Sequence, residues 1–393
     1  MVRKHSTAIK LVTFTMAMLL VTFGTLACGS AAPAPTPTTQ PAAAAPGEAA
    51  PTAAPADKAA QPASAAPEKI VTIDSCWMPE FETYIAWKAT QEGWDKAEGI
   101  ELKLHYFESG MAEMEALPAK QWVVGASGGV PTLVGALRHG AYMIGMGTEE
   151  SLVNQVMVRP DSPILSVTGS NPKYPDVYGS AELVKGKTIL TTTVSSAHYA
   201  VSGWLNALGL KDSDVVIKNM DPPQCVAAFD SGIGDVVAVW APHTGTGASK
   251  GWKVVCDGFM VDAKIPLCLV ADKEFAESNP EQVAKFLKVF MRGVDLMQKE
   301  GVNLAADYQK FMKEWGGLDI TKEYAEEEIK THPVFNLQEQ LALFDASKGT
   351  SEAQQWMQGM VDFFTTNGRF TPEESEKVMK SGFITDKFLK LVK

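Results

Sequence analysis

Apolar and polar positions alternate in blocks along this chain, and from residue 70 the blocks follow a regular order. Ile70–Asp74 alternates with period two, as a strand does, and Trp77-Met78-Pro79-Glu80 interrupts it. Thr83–Ala97 sets Ile85, Ala86 and Ala89 on one helical face, and Gly99 closes it. Strand patterns over Ile100–Tyr106, Trp122–Ala126 and Tyr142–Met146 then alternate with helical patterns over Met111–Leu117 and Pro131–Arg138. Such an order predicts an open, mostly parallel sheet with helices on both faces.

A second round follows. Leu152–Val158 reads as a strand leading to Arg159-Pro160-Asp161-Ser162-Pro163. Strands at Lys187–Leu190, Val215–Asn219 and Val236–Trp240 alternate with helices at Ala197–Leu208 and Gln224–Ser231, and Lys253–Cys256 and Leu267–Ala271 lead back. From Asp272 the chain is mainly helical. The longest helical pattern, Pro280–Lys299, puts Val283, Phe286, Leu287, Phe290 and Val294 on one face. The economical architecture is α/β and two-lobed, with the second lobe inserted into the first and a helical C-terminal part. The lobes are expected at 69–157 plus 262–393 and at 158–261, with crossings near 153–162 and 252–268. Ligands of such sheets bind outside the carboxyl ends of the strands, so two facing lobes predict a cleft.

The first 67 residues carry a different pattern. Arg3, Lys4 and Lys10 precede an apolar run, Leu11 to Leu26, that ends in Thr25-Leu26-Ala27-Cys28-Gly29-Ser30. A basic start, a short apolar stretch and small residues at its end read as an export signal over 1–28. The cysteine makes it resemble a lipoprotein signal, with Cys28 the lipidated residue, although Thr25 stands where such signals usually have Leu. Residues 29–67 are almost all Ala, Pro and Thr and hold nothing large enough to build a core. Their prolines favour an extended tether that reaches roughly 100 Å at most. Together these segments predict an extracytoplasmic domain anchored to the cell membrane by lipid.

Charge and cysteine usage narrow the partners. Removing the three basic residues of 1–28 leaves 32 basic against 46 acidic side chains, a net of −14. That balance argues against nucleic acid or an anionic lipid surface. Cys76, Cys225, Cys256 and Cys268 are scattered, and only Cys256 and Cys268 stand close together. Buried free thiols are the reading preferred over a disulfide. No cofactor and no metal is expected, since none of the six histidines is spaced as a zinc pair on a helix.

Two strand-to-helix turns carry candidate chemistry. Gly125-Ala126-Ser127-Gly128-Gly129-Val130-Pro131 allows close backbone approach, and Thr191–Tyr199 presents a row of hydroxyls with Ser195 or Ser196 as helix cap. Both offer free N–H groups at a helix amino terminus, a cradle for an anion. The first turn also matches the nucleophile elbow of hydrolases, with Ser127, Asp235 and His243 in triad order, but no matching oxyanion segment is present. Ala181–Thr188 nearly matches a P-loop but lacks its first glycine, and Lys187 opens a strand rather than a helix.

Eight segments in order carry a family resemblance. They are Tyr106–Gly110, Val124–Leu137, Val158–Ile164, Leu183–Lys187, Ser195–Tyr199, Ala207–Leu210, Asn219–Pro223 and Trp240–Pro242. Over roughly residues 69–300 the chain resembles the solute-binding proteins of the nitrate/sulfonate/taurine class of ABC importers. The resemblance implies a type II periplasmic-binding-protein fold, a monomer without catalysis, and delivery of a small solute to a permease and its ATPase. It departs from that class at Gly128-Gly129, where an acidic residue is common, and at Ala241, where many members have Glu. Carried over by position, the pocket comprises Trp77, Glu80 and Phe81, then Ser127, Gly128 and Gly129, then Thr148 and Glu149 with Glu150. From the inserted lobe come Ser195, Ser196, His198 and Tyr199, with Trp240, Pro242 and His243. A zwitterion of the aminosulfonate type fits two helix amino termini, the glutamates and the tryptophans; an aromatic or heterocyclic solute is the alternative.

Overall fold

The computed structural model describes residues 70–393, so the export signal, Cys28 and the tether lie outside the described residues. In chain order the strands are β1 (Val71–Trp77), β2 (Ile100–Tyr106), β3 (Val124–Gly128), β4 (Ala141–Glu149) and β5 (Gln155–Val158). They continue as β6 (Thr188–Thr191), β7 (Val216–Asn219), β8 (Val236–Val239), β9 (Lys253–Asp257) and β10 (Pro266–Asp272). They form two five-stranded sheets, ordered β2-β1-β3-β10-β4 and β7-β6-β8-β5-β9. The molecule has the periplasmic-binding-protein fold, with a helical C-terminal part.

Both sheets are mixed, which corrects the expectation of mostly parallel ones. β1 runs parallel to β2 and β3, whereas β10 is antiparallel to β3 and β4. β6 lies parallel to β7 and β8, while β5 is antiparallel to β8 and β9. The crossings explain this. β4 ends at the carboxyl edge of the first sheet, and the chain steps straight into the second sheet from that sheet's carboxyl edge. β5 must therefore run backwards. After β9 the chain returns the same way, so β10 runs backwards in the first sheet. Neither step is a βαβ crossover, which would enforce a parallel neighbour. Gln155, Val156 and Met157, expected at the end of the first lobe, pair with Val239, Ala238 and Val237 and belong to the second sheet.

Local departures have simple causes. The helix expected over 83–97 is two helices, Phe81–Gln91 and Trp94–Ala97, because Gly93 takes φ 66 and breaks the hydrogen-bond ladder. The long helix is Pro280–Glu300, and Val283, Phe286, Leu287, Phe290 and Val294 are all buried. It packs on the Phe81–Gln91 helix, where Trp77 stacks on Phe290 with ring centroids 6.5 Å apart. All four cysteines from Cys76 onward are free and buried.

The C-terminal helices join the two lobes. In the Glu352–Thr366 helix, Met360 lies against Gly129 of the first lobe while Phe363 meets the Tyr199 ring of the second edge-on at 4.9 Å. Tyr324, on the Lys322–Thr331 helix, packs against Gly245 of the second lobe. Beyond them, Met143 of β4 donates its N–H to Phe383 O at 2.8 Å, so the tail covers an otherwise open sheet edge.

Candidate functional site

The carboxyl edges of both sheets meet around one cavity. From the first lobe come Met78 and Glu80 after β1, Gly110 after β2, Gly128 at the end of β3, Glu150 after β4, and Pro131 and Leu267. The second lobe supplies Ser195 and Ser196 after β6 and Trp240 after β8. The space they enclose is about 20 Å³, room for one water or one ion. Anything larger enters only when the lobes part.

The Ser196–Ala207 helix aims its amino terminus at this space. Ser195 is its cap: the hydroxyl accepts from His198 N at 3.2 Å and donates to Thr192 O at 2.7 Å. Its capacity is used by the fold, which leaves Ser196 as the hydroxyl facing the first lobe. A Cβ added at Gly128 would lie 2.9 Å from Ser196 Oγ, so only glycine lets the two turns approach this closely.

The opposite wall is acidic. Glu80, Glu82, Glu113 and Glu150 are all at most 3% exposed. Glu80 Oε2, Glu82 Oε2 and both Glu113 oxygens have no hydrogen-bond partner. Burial pushes the Glu80 carboxyl well above the usual range, the neighbouring Glu82, Glu150 and Glu113 charges push it further, and the Trp240 indole opposes the shift. Burial likewise raises Glu82 to about 8, and Glu150 and Glu113 well above normal; the Ser127 hydroxyl acts against the Glu113 shift. No basic side chain lines the cavity among the described residues.

Of the residues expected at the site, Glu80, Gly128, Glu150, Ser195, Ser196 and Trp240 line this cavity, and ten do not. Trp77 is fully buried in the first lobe, its indole donating to Ser75 Oγ at 2.7 Å. Phe81 stacks on His332 with centroids 4.5 Å apart. Ser127 is buried behind the cavity wall, and Gly129 faces Met360 and Pro266 O. Thr148 donates to Pro333 O at 2.9 Å. Glu149 ties the two crossings together, accepting from Ser151 N, Ser151 Oγ and Ile265 N at 2.9–3.1 Å. His198 accepts from Val194 N through Nδ1, so its Nε2–H donates to Asp212 at 2.9 Å. Tyr199 packs on Phe363. Pro242 and the half-buried His243 open the His243–Ser249 helix, and burial lowers His243 to about 4. Trp77, Phe81, Thr148 and His198 turned away from the cavity because packing or a buried acceptor lay on that side, and Tyr199 turned to the C-terminal helix that joins the lobes.

The triad geometry fails as well. Asp235 accepts from Thr188 N at 2.8 Å at the amino-terminal start of β8, whereas His243 follows the carboxyl end of that strand. Sequence reasoning missed Met78, Gly110, Pro131 and Leu267 as lining residues, and Glu82 and Glu113 behind them. Glu113 carries no sequence signal, since it reads as an ordinary helical glutamate.

Comparison with known proteins agrees with this geometry. A putative ABC transporter periplasmic binding protein of Brachyspira hyodysenteriae is 29% identical over 248 residues, 62% of this chain and 70% of that protein. A putative aliphatic sulfonates-binding protein of Bacillus subtilis is 28% identical over 253 residues, 63% of this chain and 70% of its own length. The structure of the periplasmic aliphatic sulphonate binding protein of Escherichia coli shares the fold, with a TM-score of 0.58 at 19% identity, across 76% of this chain and 93% of that one. Residues 76–306, more than half of the chain, match the NMT1-like family, and to that family the chain belongs.

Proposed function

We propose that this protein is the extracytoplasmic solute-binding component of an ABC importer, a binding protein and not an enzyme. It captures a small organic anion or zwitterion of the sulfonate or taurine kind between its lobes and delivers it to a permease and ATPase. One observation carries this reading: a helix amino terminus bearing Ser196 faces the Gly128 turn across a cavity at the carboxyl edges of both sheets. Exposed N–H groups and a positive dipole end there favour an anionic group. The sulfonate-binding relatives support the same solute class. An aromatic solute is less well served, since only Trp240 of the two expected tryptophans reaches the cavity. The export-signal pattern ending at Cys28 supports attachment to a membrane through lipid, with 29–67 as tether.

Calorimetric titration of the purified full chain with methanesulfonate and taurine tests the reading. At least one should bind. Ser196→Ala should weaken it by about 1–3 kcal/mol, since a buried anion then loses a donor. Failure of both solutes to bind, or unchanged affinity in Ser196→Ala, refutes it.

A further inference from the structure

Three carboxylates converge beside the cavity. Glu80 caps the Phe81–Gln91 helix without a side-chain cap bond, Glu82 lies in its first turn, and Glu150 follows β4. One oxygen from each lies within 4.8 Å of the others, and all three residues are buried. Glu80 Oε2 and Glu82 Oε2 have no hydrogen-bond partner, although each side chain is at least 97% buried. Three buried carboxyl groups share a dry site only by keeping their protons or by holding a positive charge among them. The cavity wall supplies no basic side chain among the described residues, and the space measures about 20 Å³. With the lobes as they stand the space holds a bare ion, whereas an organic ammonium with its carbon chain needs the lobes to part.

We propose that Glu80, Glu82 and Glu150 form a binding site for a hard divalent cation, of the Ca²⁺, Mg²⁺ or Mn²⁺ class. The all-oxygen donor set selects those ions over zinc or copper. Two oxygens on opposite sides of a Ca²⁺ ion stand roughly 4.6–5.2 Å apart, so three oxygens within 4.8 Å suit one ion. Glu80 and Glu150 line the cavity while Glu82 stands behind them, so the ion's free coordination positions open toward Ser196. Water, or a donor atom of the solute, completes the shell there. This last point rests on the proposed function; the cation site itself does not.

The test uses the full chain after EDTA treatment, titrated with MnCl₂ and CaCl₂ in the absence of solute. Calorimetry and the loss of the free Mn²⁺ electron-spin-resonance signal report binding. The expected result is one saturable site, a melting temperature that rises with Mn²⁺ concentration, and at least tenfold weaker Mn²⁺ binding in Glu82→Gln. Glu82 does not line the solute cavity, so this variant separates the cation from the solute. Glu150→Gln is the second variant, with the same expectation. No saturable divalent binding in the wild type, or unchanged Mn²⁺ affinity in both variants, overturns the site. Taurine binding that is indifferent to EDTA and to Mn²⁺ overturns the coordination of the solute by the ion, and leaves the cleft reading standing. Saturable Mn²⁺ binding by a protein that then binds neither taurine nor methanesulfonate supports the site and counts against the proposed function instead.

Discussion

Gly245 and Tyr324 hold the two lobes together at one point, and a single methyl group there should be felt by the whole molecule. Gly245 lies in the second-lobe helix His243–Ser249, and Tyr324 in the Lys322–Thr331 helix of the C-terminal part. A Cβ added at Gly245 would stand 2.8 Å from Tyr324 Cδ2 and closer still to Cε2 and Cζ. Favourable carbon contacts begin at about 3.5 Å, so the ring must retreat by roughly an ångström. Half-buried Tyr324 is held between Glu328 and the Thr244–Gly245 segment, so its helix retreats with it. Overpacking of this kind costs about 1–3 kcal/mol, and the better helix propensity of alanine returns up to about 1 kcal/mol. Gly245→Ala should therefore destabilise the protein by about 1–2 kcal/mol. It should also increase the radius of gyration, because the two helices belong to different lobes. In a Tyr324→Ala background the clash is gone, and the same substitution should be neutral or stabilising. Urea unfolding of the four proteins, followed by tryptophan fluorescence, closes the cycle. If Gly245→Ala has the same effect in both backgrounds to within about 0.3 kcal/mol, the contact is not what joins the lobes.

Glu328 sets a pH dependence of stability. Burial holds its carboxyl up at about 7, against 4.5 ordinarily, with the Tyr308 hydroxyl donating to it at 3.5 Å. Between those values the folded protein keeps a proton that the unfolded chain releases, so stability falls as pH rises from 4.5 to 7, by about 3 kcal/mol at most. Glu328→Gln mimics the neutral acid and should flatten that fall in urea midpoints; equal slopes in both proteins would refute the assignment. Cys28→Ser should release the protein from the membrane fraction, and a variant that sediments as the wild type does would remove the anchor.

The alternation of strand and helix patterns was enough to determine two α/β lobes with one inserted into the other. Short apolar runs and period-3.6 patterns are local, and the fully buried strands β3, β4, β8 and β10 and the Val283–Val294 face follow them. Mixed sheets were beyond that reach, because strand direction at β5 and β10 depends on which edge the chain enters after leaving the other lobe. Glycine and hydroxyl turns marked both walls of the cleft, at Gly128 and Ser196, since a helix amino terminus is visible as a sequence motif. The side chains around them were not legible in the same way. Trp77, Phe81, His198 and Tyr199 stand within a few residues of the cleft, yet all four point away from the cavity, toward an aromatic partner or an acid on a distant segment. The buried carboxylates are the extreme case. Glu80, Glu82, Glu113 and Glu150 sit on three separate segments, and nothing local tells a solvated glutamate from one enclosed in the fold. Only the tertiary structure brings their charges within reach of one another, and that closeness gives the cleft its chemistry.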